Sequence, residues 1–228
     1  MITRSDVGVE LINHFGSDEQ VVAAARVSTG TNPNPEKDAG LINYLMRDRH
    51  GSPFEHNGFT FRVEAPIFVF REFMRHRIAS YNEESGRYKE LEPVFYVPDE
   101  TRNLVQIGKP GAYEFVEGNY DQKVNTPAVI NRVSKYAYEA YQDLLDIGVA
   151  REVARMVLPV NIYSSMYVTI NARSLMNFLS LRVKDETSSY PSFPQREIEM
   201  VAEKMEAEWA KLMPLTYESF IKNGRVAP

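Results

Sequence analysis

A chain of 228 residues with 43% hydrophobic and 25% charged residues has the make-up of one globular domain, long enough to bury roughly 70% of its unfolded surface. It contains no cysteine, which excludes disulfides, zinc–thiolate and iron–sulfur sites and every thiolate nucleophile. A formal net charge of −5 disfavours sequence-blind nucleic-acid binding, and no apolar run approaches the roughly 18 residues of a membrane span; the expected address is the cytoplasm, with neither nucleic acid nor membrane as partner.

Alternation over residues 7–12 predicts a first strand. Ser17-Asp18-Glu19-Gln20 has capping-box spacing ahead of an apolar run at 21–27, so a short helix is expected to start at Ser17. The turn-rich stretch 28–35 precedes a helix from Pro35 to about Arg49 with Leu41, Ile42 and Leu45 inward, which His50-Gly51-Ser52-Pro53 ends. Residues 59–65 alternate apolar and polar without a slip, the pattern of a strand with one buried face. Pro66 then opens a helix through about Ile78 with Ile67, Phe70 and Met74 on one stripe. A short strand is expected at 94–96, and residues 108–125 read as a surface excursion. The second half is helical: 127–147 with Val129, Val133, Tyr136, Ala137, Ala140, Tyr141 and Leu144 inward and Gly148 as the stop; 151–158; 171–183; and 194–212 with Ile198, Val201, Met205 and Trp209 inward. A strand at 162–170 lies among them. Strands early and helices late predict a single α+β domain over 1–228, with a mixed or antiparallel sheet and a helical half.

Three stretches concentrate side chains that donate hydrogen bonds in fixed directions. The first runs from Arg75 to Arg87. It starts at a predicted helix end, where Glu72, Arg75, His76 and Ala79 share a face, and continues into a loop with Ser80, Asn82, Ser85 and Arg87. Guanidinium forks suit phosphate, and backbone amides beside Ser85 and Gly86 could close around the same anion. A helix C-terminus whose Arg and His complement the dipole would look similar. The second stretch is Arg151-Glu152-Val153-Ala154-Arg155. In the third, Arg173 and Asn177 share one helix face, while Asn171, Ser174, Phe178 and Arg182 form another. Taken singly these are ordinary surface residues; as a set they imply a polyanionic ligand with a heterocycle. His50, His56 and His76 match no metal-binding spacing, so no metal is expected, and no GxSxG, P-loop or GxGxxG occurs.

Arg75-His76-Arg77 with Ser85 seven residues on resembles the RHR-x7-S signature of the flavin-dependent thymidylate synthases. Its fuller form, RHRxxSxNExSxR, is matched at Arg75, His76, Arg77, Ser80, Asn82, Glu83, Ser85 and Arg87. Blocks at 25–28, 50–56, 65–69, 151–159 and 171–182 are similar to the family in the expected order. The resemblance implies a homotetramer with active sites built where subunits meet. It implies reductive methylation of dUMP to dTMP with 5,10-methylenetetrahydrofolate as carbon donor and NADPH to reduce bound FAD. By position, Ser52, Arg75, His76, Arg77, Glu83, Asn171, Arg173 and Asn177 would bind FAD, with His50 beside the flavin. Arg75, Glu83, Glu84, Ser85, Gly86, Arg87, Arg155 and Arg182 would hold the nucleotide, with Arg182 in the catalytic role. Glu72 stands where family members often carry Gln; when ionised it can only accept, for example from the uracil N3–H. Two other functions stay open at this point: a non-catalytic nucleotide- or RNA-binding module using the same arginines, and a flavoprotein of this fold with an altered pyrimidine substrate.

Overall fold

The computed structural model describes residues 1–30, 34–110 and 112–228. Part of the turn expected at 28–35, and one residue of the excursion expected at 108–125, lie outside them. The chain is mixed α/β and divides into two compact units, both discontinuous: the first comprises Met1–Val7, Glu64–Phe73 and Glu83–Met166, the second Gly8–Val63, Met74–Asn82 and Tyr167–Pro228. Strand β2 (Gly8–Phe15) and strands β3 (Gly58–Pro66), β4 (Ser80–Glu83) and β8 (Tyr163–Ile170) form a four-stranded sheet in the order β2-β3-β8-β4. The chain passes between the two units within β3, β4 and β8.

In the first unit, β1 (Ile2–Arg4) pairs in parallel with β5 (Val94–Tyr96), and β6 (Val105–Lys109) pairs with β7 (Ala112–Val116) as an antiparallel hairpin. The expected surface excursion therefore contains strands. Helix α4 (Tyr120–Asp146) begins seven residues before Pro127, because Asn119 and Gln122 form a full capping box that starts it earlier. Pro127 lies inside the helix, where it forgoes one backbone hydrogen bond and its ring crowds the carbonyl four residues earlier. Of the inward stripe expected on α4, Tyr141 is buried and Ala137, Ala140 and Leu144 are half-buried, but Val129, Val133 and Tyr136 are exposed and Ser134 is buried in their place. The buried face is chosen by polar contacts. Tyr138 donates to the Leu91 carbonyl at 3.1 Å, and Ser134 accepts from Asn161 at 3.0 Å. Around them Leu91, Phe95 and Ile162 form a small core with Ile67, Tyr138 and Leu158. Helix α5 (Arg151–Ala154) continues as a 3₁₀ turn, Arg155–Val157.

Helix α3 (Ile67–Phe73) is shorter than its periodicity predicts, and residues 74–79 are turn and bend. Its first amides, Ile67 and Phe68, donate to the carbonyls of Ile162 and Val160. It ends early because tertiary partners hold His76: the Tyr81 hydroxyl donates to the His76 carbonyl at 2.5 Å, and the imidazole packs edge-on against Phe178. The shared helical face expected for Glu72, Arg75, His76 and Ala79 is thereby lost.

The second unit holds α1 (Asp18–Arg26), α2 (Pro35–Arg47), α6 (Ala172–Arg182), α7 (Arg196–Leu212) and α8 (Pro214–Lys222). Ile198, Val201, Met205 and Trp209 of α7 are fully buried as their spacing predicts, and Trp209 meets Tyr217 and Phe220 edge-on. The capping box expected at Ser17 does not form, since Ser17 donates to Glu19. Asp18, buried beside it, instead caps a distant helix: it accepts from the Leu215 and Thr216 amides and the Thr216 hydroxyl at the start of α8.

Candidate functional site

The candidate residues fall into two groups, one in each unit, and the RHR-to-Arg87 motif crosses from the second unit to the first between Asn82 and Glu83.

In the second unit, α2 ends at Arg47 and the chain turns through His50, Gly51 and the 3₁₀ turn Ser52–Glu55. Buried Asn57 ties this segment to α6: its carbonyl accepts from the Ala172 amide at 2.7 Å and its amide donates to Phe54 O at 3.1 Å. A Cβ at Gly51 would lie 2.4 Å from the Arg173 Cζ, so a side chain there would displace that guanidinium. Arg173 is itself held, donating to the carbonyl of Pro228 at 2.6 Å and pairing with Glu55 at 2.5 Å. Asn177 donates to the Arg173 carbonyl at 3.1 Å, so the face predicted for this pair exists. The other predicted face is largely core: Ser174 and Phe178 are buried, and Asn171 caps α6 by accepting from the Ser174 amide at 2.9 Å. Only its two ends, Asn171 and Arg182, retain exposed surface.

The end of α6 meets the motif. Arg182 donates from Nε to His76 Nε2 at 3.1 Å. Burial, and next the Arg182 charge, push the His76 imidazole down to about 4, so it is neutral at physiological pH and Nε2 is a free lone pair for that bond. Burial also pushes the Tyr81 phenol up to about 12, keeping it a donor to the His76 carbonyl. Arg75 and Arg77 are exposed and have no ion-pair partner among the described residues. Two uncompensated guanidinium groups flanking a neutral imidazole suit a diphosphate.

In the first unit, the Ser85 hydroxyl accepts from the Arg87 amide at 3.3 Å, and the Ser85 carbonyl accepts from the Tyr88 and Lys89 amides, a tight turn that leaves Ser85 a structural acceptor. Buried Gly86 sits against Leu91 and Arg155, which places Arg155 beside the turn. Arg87 pairs with Glu152 at 2.9 Å in a solvent-exposed contact that an incoming anion can displace at little cost. Glu84 pairs with Lys89, and its amide donates to the Ser165 carbonyl. Burial raises the Glu83 carboxyl, an effect partly offset by the Ser164 hydroxyl and by the Arg155 and Arg71 charges. Ser164 Oγ is buried and lacks a well-directed hydrogen bond. Glu72 lies half-buried in the last turn of α3 in this unit.

Ser164, Tyr81 and Asn57 were not singled out from the sequence. Asn57 directly follows the block at 50–56, and Ser164 occupies an inward position of an alternating strand, so a polar residue in a buried register was the available signal.

Comparison with known proteins matches residues 10–215 to the family described as thymidylate synthase complementing protein. A relative named flavin-dependent thymidylate synthase from Streptomyces avermitilis is 66% identical over 233 residues, covering 99% of this chain and 95% of that protein. One of the same name from Tropheryma whipplei strain TW08/27 is 60% identical, covering 98% and 96%. A solved structure of a UMP/dUMP methylase from Streptomyces cacaoi bound with 5-Br UMP is 56% identical with a TM-score of 0.95, covering 100% of this chain and 99% of that one.

Proposed function

Because the chain belongs to the flavin-dependent thymidylate synthases, we propose that it converts dUMP to dTMP, taking the carbon from 5,10-methylenetetrahydrofolate and reducing equivalents from NADPH through FAD. It is a methyltransferase with a flavin cofactor. The observation that carries the reading is the Arg182–His76 contact: a permanent cation at the end of α6, oriented by a neutral ring inside the family's signature motif.

FAD would be held by Ser52, Arg75, His76, Arg77, Glu83, Asn171, Arg173 and Asn177, with His50 beside it. Arg75 and Arg77, without an ion-pair partner among the described residues, fit its diphosphate, whereas Arg173 already has two intramolecular partners and acts by positioning the Gly51–Ser52 turn. Bound flavin supplies the hydride. The protein's own part is electrostatic. Arg87, Arg155 and the amides of the Ser85 turn bind the nucleotide phosphate. Arg75, Glu83 and Glu84 complete the pyrimidine nucleotide site, and Glu72 accepts from the uracil N3–H. Arg182 stabilises negative charge accumulating on the uracil O4 and N3 edge when C5 is activated. No cysteine is present to attack C6, so activation proceeds without an enzyme thioether. The enzyme works in the cytoplasm as a homotetramer with sites shared between subunits.

The purified protein should show an oxidised-flavin spectrum and form dTMP from dUMP only with folate and NADPH; a colourless protein unable to take up FAD refutes the reading. Arg182→Ala should abolish turnover with the far-ultraviolet circular dichroism unchanged. A second reading, that UMP is also methylated, is favoured by the Streptomyces cacaoi relative and by Glu72 in place of Gln. Turnover of UMP beside dUMP in the same assay decides it.

A further inference from the structure

The second unit contains a cavity of about 170 Å³ lined by Met46, Arg47, Arg49, Ser189, Tyr190, Asn223 and Val226, to which none of the residues assigned above to flavin or pyrimidine contributes. Its wall includes a backbone anomaly. Helix α2 ends in a double hydrogen-bonded turn, His50 N–H to Leu45 O at 2.9 Å and Arg49 N–H to Met46 O at 3.3 Å, which forces the residue after the cap into the left-handed region. Helices α4 and α8 end in the same turn and place Gly148 and Gly224 there. At the end of α2 the residue is Arg49, with φ at 62°. A residue with a Cβ is strained in that region, and strain kept at a place where glycine would serve points to a use for the side chain.

Arg49 lines the cavity, and its guanidinium has no hydrogen-bond or ion-pair partner among the described residues. Arg47 contributes a second cation, shared with Asp48 at 2.9 Å. Both hydrogens of the Asn223 amide are taken, by Asn43 at 3.0 Å and the Ser219 carbonyl at 2.8 Å, which leaves its oxygen as an acceptor for a ligand hydroxyl. Ser189 adds a hydroxyl, and Tyr190, 75% exposed, adds an aromatic ring. Two cations, hydroxyls, one acceptor and an aromatic ring match a phosphorylated ribose joined to a heterocycle. The volume is below the 300–1,000 Å³ or so of a whole-ligand pocket, so it takes one end of a larger molecule. The wall residues Arg47 and Arg49 run directly into His50, Gly51 and Ser52.

We propose that this cavity binds the 2′-phosphoadenosine end of the reductant, Arg49 and Arg47 taking the 2′-phosphate, Asn223 a ribose hydroxyl and Tyr190 the adenine, and that Arg49 thereby sets preference for NADPH over NADH. The inference rests on the proposed reaction for its choice of NADPH. Its test is Arg49→Gly in the flavin-loaded protein, with Arg49→Lys beside it. Relief of strain should raise the melting temperature of Arg49→Gly by about 2–4 °C. Loss of a charge-assisted contact should raise KM for NADPH about 10–100-fold and leave KM for NADH and dUMP unchanged, with Arg49→Lys intermediate. Calorimetric titration with adenosine 2′,5′-bisphosphate should show binding to the wild type, weaker binding of 5′-AMP and inorganic phosphate, and loss in Arg49→Gly. Unchanged NADPH kinetics in a stabilised variant overturns the proposal, as does an equal rise for NADH and NADPH, or inorganic phosphate binding as tightly as the bisphosphate. A wild type that oxidises neither nicotinamide refutes the proposed reaction instead, and the titration then still decides the cavity.

Discussion

Lowering the pH tests the Arg182–His76 contact without altering the active-site arginine. In the folded protein the imidazole is held down to about 4 by burial and by Arg182, against about 6.5 when unfolded. Below pH 6.5 the unfolded chain therefore takes up a proton that the folded chain refuses. Stability contributed by the neutral ring is complete above that pH and is lost as pH falls towards 4. One proton corresponds to about 1.36 kcal/mol per pH unit, which over the span from about 4 to 6.5 sets a ceiling of about 3.4 kcal/mol. The ring is only half-buried, and solvent screening reduces this to about 1–2 kcal/mol. His76→Gln retains an acceptor for the Arg182 Nε–H and removes the titration. Urea unfolding from pH 7.5 to 4.5 should give a wild-type stability that falls more steeply than that of the variant by this amount. Parallel profiles would show that His76 is not held neutral by burial and by Arg182, and the neutral acceptor assigned to the arginine would fall with it.

Three further outcomes follow from other contacts. Asp18→Ala removes three hydrogen bonds from the start of α8, where Met213 offers no side-chain cap, and should cost about 2–4 kcal/mol in urea unfolding; an unshifted midpoint would mean α8 is capped otherwise. Glu206→Ala leaves the buried Arg225 guanidinium, which it meets at 2.7 and 2.9 Å, with the longer Asp185 contact at 3.6 Å as its remaining carboxylate, and should cost about 3–5 kcal/mol; a loss below 1 kcal/mol contradicts that burial. Arg87→Ala and Glu152→Ala break the same exposed pair, so each should change stability by less than about 1 kcal/mol, yet only Arg87→Ala should raise KM for dUMP, by about tenfold or more. Equal kinetic effects would place the pair outside the phosphate site.

Elements carried by a strong local period were legible in the sequence. The alternation at 59–65 became β3, and the stripe of Ile198, Val201, Met205 and Trp209 became the buried face of α7. Where period and polar bonding competed, the reading failed. Val129 and Val133 offered an apolar stripe on α4, but Ser134 and Tyr138 had backbone and amide partners to satisfy, and that face was buried instead. Likewise the helical period through 78 lost to the hold that Tyr81, Phe178 and Arg182 exert on His76.

The sequence by itself determined the absence of thiol chemistry and the motif that resembles a flavin-dependent thymidylate synthase, because both depend on residue identity and local spacing. Tertiary structure decided which of the motif's residues are committed and which are available. Arg173 is occupied by Glu55 and Pro228, Asn171 by the start of α6, and Ser85 by its own turn, whereas Arg75, Arg77 and Arg49 have no ion-pair partner among the described residues. A guanidinium looks the same in every sequence; whether it binds a ligand depends on whether an acidic or carbonyl partner reaches it first, and that is set by distances between residues as far apart as Arg173 and Glu55.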